Sequence, residues 1–300
     1  MFEHILLPLD GSQLAETAIP YVVTLCKKLD SQVTLLHVIE KDAPVAIHGQ
    51  SHLTNEKDAY EYLQKVARGE FGFSCRVICH VHSEQVSRVS SSIVDHSSEF
   101  QPDLIVLCAH GEGGMRDFMI GSIAQQVIAD GKIPVLLIHP EHRPLDLSEG
   151  FSSLMVALDG EPDHDRSMDI AGELAMRFNS TIRFIRVVPT FFTLSGEQAA
   201  LGSMLPGTTN AYLDIMEEEA CEYLQEKLEV WRKKGINCAA EVQRGDPAQE
   251  VVKSALNSNA NIIVLGTHGR SGLNAFWSGS VAPKIVAKTL IPVLLYPVRR

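Results

Sequence analysis

The sequence has no long hydrophobic run. Its longest apolar stretches, such as DLIVLCA and NIIVLGT, are far shorter than the roughly 20 residues needed to cross a bilayer. The first residues, MFEHILLPLDGS, lack the basic region and the cleavage site of a secretory signal. Because 45% of the residues are hydrophobic and 21% are charged, we expect one or two globular domains in the cytoplasm, with no membrane partner.

Positive charge is also scarce. The 26 Lys and Arg residues are outnumbered by 37 Asp and Glu residues, which gives a formal net charge of -11. Nucleic-acid binding requires clustered Lys and Arg, and the densest group here is the short run RKK. We therefore predict no nucleic-acid partner, and a bound anion would have to be held by local groups.

The six cysteines lie mostly within apolar stretches, as reduced thiols do, and their spacing does not indicate a small disulfide framework. Cys75 and Cys79 stand next to His80 and His82 and would suggest zinc. In a strand, however, alternation places the two Cys on one face and the two His on the other. We therefore do not expect a metal site formed by protein groups alone.

The chain is an internal repeat. Residues 5–12 (ILLPLDGS) align with residues 154–161 (LMVALDGE) and place Asp10 on Asp159, and residues 103–111 (DLIVLCAHG) align with residues 261–269 (NIIVLGTHG). A polar stretch containing proline, HPEHRPLDLSEG, separates the two copies. This pattern predicts two domains, residues 1–140 and residues 152–300.

Short Val, Ile and Leu runs alternate with segments of helical period in each copy. Apolar positions in SQLAETAIPYVVTLCKKLD, after the first strand, have the spacing of an amphipathic helix. Near-continuous apolar strands such as LIVLC are typical of parallel sheets that are covered on both faces. The fold class predicted from the residues is α/β, with an open parallel sheet flanked by helices in each copy.

A glycine-rich loop, GTHGRSGLNAFWSGSV, follows the buried run NIIVL and precedes a predicted helix. Ligands of open parallel sheets bind beyond the carboxyl ends of the strands, where this loop lies. Glycine lets an anion approach the backbone, and a helix N-terminus adds unpaired N–H donors, so phosphate is the natural guest. A tight turn in which Ser280 caps the helix is the alternative interpretation.

The spacing Gly266-x-x-Gly269, nine residues, then Gly279-Ser280 resembles the nucleotide signature of the universal stress protein family, G-x-x-G-x9-G-[ST]. The resemblance covers nearly the whole chain as two tandem copies and includes LDGS, RGDP and IPVLLYPV. It implies Rossmann-like domains of the adenine nucleotide alpha hydrolase type that pair through their last strands. It also implies an ATP-binding stress-response protein that acts as a sensor or regulator through an unidentified protein partner.

Carried over by position, the resemblance implies a nucleotide site in the second copy. Val187 would contact adenine through its backbone, residues 266–272 would contact ribose and phosphates, and residues 279–281 would meet the β and γ phosphates. Mg²⁺ could accompany ATP near Asp159, although an Asp before Gly more commonly serves its own turn. The implied residues are Ala157, Asp159, Val187, Gly266, Thr267, His268, Gly269, Arg270, Gly272, Gly279, Ser280 and Val281.

Two of these residues keep open roles. His268 would brace the loop or approach the phosphates, with bracing preferred. Arg270 would contact the ligand or face water.

The first copy departs from the pattern. Cys108 replaces the first glycine, where a thiol would crowd the nucleotide and a positive φ would be unfavourable. Glu112 and Asp117 add negative charge to its loop. Cys108 is expected to be an apolar strand-end residue rather than a redox-active thiol. The weaker first site that the resemblance implies comprises Pro8, Asp10, Val38, Gly111, Gly121 and Ser122.

The sequence has no recognisable arrangement of nucleophile, base and orienting acid. The leading hypothesis is therefore a protein that binds ATP and hydrolyses it slowly or not at all. The alternatives are a nucleotide-independent scaffold formed by a pseudo-dimer, with a homodimer left open, or a slow ATPase that autophosphorylates at Ser280 or Ser122. Two long segments, residues 41–58 and 190–210, are predicted to act as lids or partner surfaces.

Overall fold

The computed structural model describes residues 1–43, 46–47, 50–109, 121–130, 132–141, 150–161, 165–194, 196, 200, 204–268 and 281–298. The strands of the first half are β1 (His4–Pro8), β2 (Gln32–Glu40), β3 (Ala46–Ile47), β4 (Gln50–Ser51), β5 (Arg76–Val86), β6 (Leu104–Cys108) and β7 (Val135–Ile138). Those of the second half are β8 (Ser153–Ala157), β9 (Thr181–Val188), β10 (Cys238–Arg244), β11 (Ile262–His268) and β12 (Val293–Val298).

The helices of the first half are α1 (Gln13–Glu16), α2 (Ile19–Leu29), α3 (Glu56–Val66), α4 (Val89–Phe100) and α5 (Ser122–Asp130), with a π-helical turn at Ala67–Phe71. Those of the second half are α6 (Arg166–Phe178), α7 (Pro206–Lys233), α8 (Pro247–Asn257) and α9 (Val281–Val286). Within the part of the chain that the structure describes, no helix is both long and apolar enough to cross a membrane.

The predicted α/β fold is confirmed, and the two predicted sheets are joined into one. Ten strands follow the order β10-β9-β8-β11-β12-β7-β6-β1-β2-β5, and β3 and β4 form a separate small pair. In the ten-stranded sheet, neighbours from the same half are parallel, whereas β7 and β12 pair antiparallel, with Val293 opposite Leu137 and Leu295 opposite Val135. The final strands of the two copies are therefore neighbours in the middle of the sheet.

Helices cover both faces of the sheet because its strands are apolar on both sides. In β1, Ile5 and Leu7 pack into one core together with residues of α2, α3, α6 and α7. Leu6, between them, packs into a second core with residues of α4, α5, α8 and α9. Alternate residues of a strand point to opposite faces, so one apolar strand can supply both cores.

The helix predicted after the first strand is interrupted. α1 begins after Ser12, whose hydroxyl accepts a hydrogen bond from the amide of Ala15, and it ends at Glu16. α2 then starts at Ile19 and has Pro20 in its first turn. Since Pro has no N–H and its ring clashes with the carbonyl four residues earlier, a helix that runs through this point would be strained.

The cysteine and the two histidines of β5 lie on opposite faces of the strand, as predicted. Cys79 packs with the core on the α2 and α3 side. The ring of His80 lies 4.8 Å from the ring of His96 on α4, and His82 Nδ1 lies 3.0 Å from His96 Nε2. His96 Nδ1 is also 2.8 Å from a carboxylate oxygen of Glu99. Among the described residues, no group of His, Cys, Asp and Glu has an arrangement suited to a metal ion.

This histidine cluster predicts a loss of stability in acid. Burial, and then the charge of neighbouring His96, lowers the pKa of His80 below the usual 6.5. The unfolded chain therefore takes up a proton near pH 6.5 that the folded chain resists, and the free energy of unfolding should fall as the pH decreases below that point. We expect the free energy of unfolding of His80→Phe to depend less on pH than that of the parent protein. Urea titrations between pH 5 and pH 8, a range of ~3 pH units centred on the ordinary pKa of His, measure this dependence. Equal slopes for the two proteins would contradict the assignment.

A tight helix contact predicts the effect of a single methyl group. A Cβ added to Gly172 in α6 would lie 2.0 Å from Cζ3 of Trp231 in α7. Gly172→Ala should therefore destabilise the fold by about 2 kcal/mol, despite the better helix propensity of Ala. Gly207→Ala is the matched control, because a Cβ there meets nothing within 4 Å. Chemical denaturation of both variants checks this contact, and equal stabilities would refute it.

Candidate functional site

Three adjacent strands of the second half end together at one edge of the sheet. Ala157, at the end of β8, lies between Ile185 of β9 and Leu265 of β11. Ala157 and Val187 pack against the same core, the one covered by α8 and α9. The predicted contacts Ala157 and Val187 thus share one face at the carboxyl edge.

The glycine loop starts at this edge. Gly266 and His268 are in β11, opposite Tyr296 and Val298 of β12. The buried hydroxyl of Thr267 donates a hydrogen bond to the carbonyl of Tyr296 at 3.2 Å. Val281 is the first residue of α9 and is 37% exposed. The other predicted loop residues, Gly269, Arg270, Gly272, Gly279 and Ser280, lie outside the described residues.

The helix after the loop lies on the same face as Ala157 and Val187. Ala282, which follows Val281 in α9, packs in the same core as Leu265 and Ile185. The start of α9 therefore lies on the side of the sheet that carries Ala157 and Val187. Strand ends and a helix N-terminus on one face provide an apolar surface beside a group of N–H donors.

Asp159 forms a turn that the first copy repeats. Its Oδ1 accepts a hydrogen bond of 3.0 Å from the amide of Glu161, and Asp10 accepts one of 2.8 Å from the amide of Ser12. The intervening Gly160 and Gly11 have φ values of 90° and 88°. The turn role expected for an Asp before Gly is therefore present in both copies.

The equivalent edge of the first copy contains Pro8 at the end of β1, with Val38 on the neighbouring strand and Asp10 in the turn. Gly121 precedes α5, which begins at Ser122, whereas Gly111 lies outside the described residues. Ser122 lines a cavity of about 360 Å³ between the starts of α4 and α5, together with Arg88 and Glu40. The cavity beside the start of α5 is thus lined by one acidic and one basic side chain.

Cys108 differs from the expectation in one respect. It is the last residue of β6 and has no positive φ, and Gly266 in β11 has none either, so the glycine at this position is not required by backbone conformation. Burial raises the pKa of the Cys108 thiol to about 11, and its sulfur lies 3.4 Å from Thr17 Oγ1. These surroundings favour the strand-end role over a reactive thiol.

A family model describes both halves of the chain. The model of the universal stress protein family matches residues 1–139 and again residues 150–297. The chain belongs to the universal stress protein family. The family model thus matches as two tandem copies, which is the organisation that the internal repeat predicts.

Relatives of this universal stress protein match over its full length and over one half. A universal stress protein from Mycolicibacterium smegmatis is 24% identical over 306 residues, covering 97% of this chain and 96% of the relative. Universal stress protein Sll1654 from Synechocystis is 34% identical over 139 residues, 46% of this chain and 86% of the relative. The crystal structure of a universal stress protein from Archaeoglobus fulgidus is similar over all of both chains, with 18% identity and a TM-score of 0.68, and it supports the fold.

Sequence reasoning missed Arg186, which supports the Asp159 turn from the other face of the sheet. A Cβ added to Gly160 would lie 2.7 Å from the guanidinium carbon of Arg186. That guanidinium lies 5.2 Å from the centre of the Tyr223 ring in α7. Tyr223 donates a hydrogen bond to Asp165, which also pairs with Lys227 at 2.5 Å. The signal in the sequence is weak, because Arg186 is one of two arginines inside the otherwise mostly apolar strand TIRFIRVV.

The hydrogen bond from Tyr223 to Asp165 should contribute to the stability of this universal stress protein. Burial, and then the hydrogen bond to Asp165, raises the pKa of Tyr223 above its ordinary value. Tyr223→Phe removes the donor from a half-buried carboxylate, and we expect a loss of about 1–2 kcal/mol in the free energy of unfolding. Tyr212→Phe on the same helix is the control, because Tyr212 is exposed and should change stability little. Urea unfolding measures both, and a neutral Tyr223→Phe would refute the role.

Proposed function

We propose that this universal stress protein binds an adenine nucleotide, ATP, in its second copy, and that occupancy of the site regulates contact with a protein partner. The observation that carries the proposal is the meeting of Ala157, Val187 and the start of α9 on one face, at the sheet edge where β11 ends. The sequence spacing of the family's nucleotide signature begins at this edge, at Gly266.

Each part of the nucleotide has a proposed partner in the second copy. Ala157 and Val187 offer an apolar face for the adenine ring, and the Val187 backbone is the contact that the family resemblance implies. Residues 266–272 are proposed to contact ribose and phosphates, and Gly279, Ser280 and Val281 to contact the β and γ phosphates. The N–H groups at the start of α9 suit phosphate oxygens because they lack partners within the helix.

Mg²⁺, where it accompanies ATP, is proposed to bind the phosphates near Asp159. The Oδ1 atom of Asp159 already accepts a hydrogen bond within its own turn. A metal at this point would therefore depend mainly on phosphate oxygens and water for its ligands, as Mg²⁺ commonly does at nucleotide sites.

The first copy is proposed to bind nucleotide more weakly. Cys108 carries a side chain at the strand position where the second copy has Gly266. The Cys108 thiol is largely buried and close to Thr17, so it occupies space near the carboxyl edge rather than opening it. The volume of the Cys108 side chain, and not a backbone restriction, is the difference that we propose to matter.

Calorimetric titration with ATP tests the site when matched positions of the two copies are changed. Gly279→Val places a branched side chain where the signature requires a close backbone approach, and we expect it to weaken ATP binding by about tenfold or more, ~1.4 kcal/mol. Gly121→Val makes the same change in the first copy and should leave the measured affinity close to that of the parent. Thermal unfolding without nucleotide shows whether each variant still folds.

The reverse pattern, with binding lost only in Gly121→Val, would assign the nucleotide to the first copy. No heat change with the parent protein at millimolar ATP would reject nucleotide binding altogether. The second candidate function, a nucleotide-independent scaffold, would then be preferred, because the β7 and β12 pairing already builds one ten-strand body from the two copies. Phosphate release or phosphorylation of Ser280 or Ser122 by the parent protein would instead support an enzymatic role.

A further inference from the structure

Two cysteines from separate elements meet at the amino edge of the first half. Cys26 is in the last turns of α2, and its thiol donates a hydrogen bond of 3.2 Å to the carbonyl of Ser31. Ser31 and Cys75 immediately precede Gln32 and Arg76, which are paired at the start of β2 and β5. Neighbouring strands lie about 5 Å apart, so the carbonyl that Cys26 contacts lies beside Cys75.

The two thiols belong to the same packed cluster on one face of the sheet. Burial, and then a hydrogen bond with the thiol of Cys75, raises the pKa of Cys26 to about 12. Cys26 is 1% exposed and belongs to the core, whereas Cys75 is partly exposed and packs against that core. An oxidant from solvent therefore reaches Cys75 first, while Cys26 is held next to it in the protonated form.

We propose that Cys75 and Cys26 form a redox modification site, in which hydrogen peroxide converts the two thiols to a reversible intramolecular disulfide. The thiolate sulfur of Cys75 attacks one peroxide oxygen, the O–O bond breaks, and Cys75 becomes a sulfenic acid. The departing hydroxide combines with the proton lost from Cys75 and leaves as water.

The second step closes the bond. The sulfur of Cys26 attacks the sulfenic sulfur of Cys75, the S–S bond forms and the S–O bond breaks. Hydroxide leaves with the proton of Cys26 as a second water, so one peroxide is reduced to two waters while two thiols lose two electrons. A dithiol reductant reverses the reaction by thiol–disulfide exchange.

The bond would tie α2 to the start of β5, which is an edge strand of the sheet. It would close a loop of about 50 residues and thereby restrict the unfolded chain. The pair lies beside β2 and β5, and four strands (β12, β7, β6 and β1) separate β2 from β11 of the proposed nucleotide site. Oxidation and nucleotide binding can therefore be tested independently.

Thiol counting and peptide mapping on the full-length protein test the proposal. All six cysteines are free in the reduced protein. After limited hydrogen peroxide, alkylation should detect the loss of two thiols per chain, and a digest without reductant should contain a peptide that joins Cys26 to Cys75. Dithiothreitol should restore both thiols, and the oxidised protein should unfold several degrees higher than the reduced protein.

Single substitutions assign the roles. Cys75→Ser should abolish the cross-linked peptide, and Cys26→Ser should leave a sulfenic acid on Cys75 that dimedone traps. Cys221→Ser is the control, because Cys221 is exposed on α7 and should not affect the cross-link. Retention of all six thiols, or oxidation confined to disulfides between chains through Cys221, would overturn the proposal. The same thiol loss in Cys75→Ser would overturn it as well, and the mapping of the unsubstituted protein does not depend on how the variants fold.

Discussion

The antiparallel pairing of β7 with β12 is the contact on which the architecture depends. Each strand is the last of its copy, and all four residues of β7 are buried. Unpaired, either strand would expose an apolar edge with free N–H and C=O groups, which favours aggregation. Pairing related surfaces of two copies about a two-fold axis removes both edges at once.

The same pairing determines where the two candidate sites lie. Since the main-sheet strands of each half are parallel and the joint is antiparallel, the carboxyl edges of the two halves point in opposite directions. Two candidate sites at those edges therefore cannot share one ligand.

The two copies keep the same turn and support it differently. Asp10 and Asp159 accept equivalent hydrogen bonds, but the strand position behind the turn is His37 in one copy and Arg186 in the other. His37 lies 2.8 Å from the carbonyl of Leu9 and 3.2 Å from that of Leu53, so it ties the segment before α3 to the end of β1. Burial lowers the pKa of His37, and the neutral ring that this favours has one N–H, so it donates to one of these two carbonyls at a time. Arg186 instead stacks on Tyr223 of the longer helix α7. The repeat thus conserves a backbone conformation while the loops and helices around it diverge.

Features with a local cause could be predicted from the sequence. Short apolar strands that alternate with amphipathic helices determine the layers, and the alternation in β5 places His80 and Cys79 on opposite faces. The turn at Asp159 follows from an Asp before Gly. Contacts between distant segments have no comparable pattern in the sequence. The hydrogen bond between Asp165 and Tyr223, which are 58 positions apart, is an example. The break between α1 and α2 was missed because the apolar spacing continues across it, although Pro20 should have weakened a single-helix interpretation.

The cysteines illustrate why residue type alone does not predict chemistry. Cys108 is notable in the sequence because it replaces a glycine of the nucleotide signature, yet its thiol is partly buried, protonated and held beside a threonine hydroxyl. In the sequence, Cys75 is a candidate only as a zinc ligand, and alternation along the strand places the neighbouring histidines on the opposite face. That same register brings it beside Ser31 and therefore beside Cys26, 49 positions earlier in the chain. Reactivity of a thiol depends on its access to solvent and on its neighbours, and both are properties of the folded sheet. The physical basis for a redox site therefore arises from the pairing of β2 with β5.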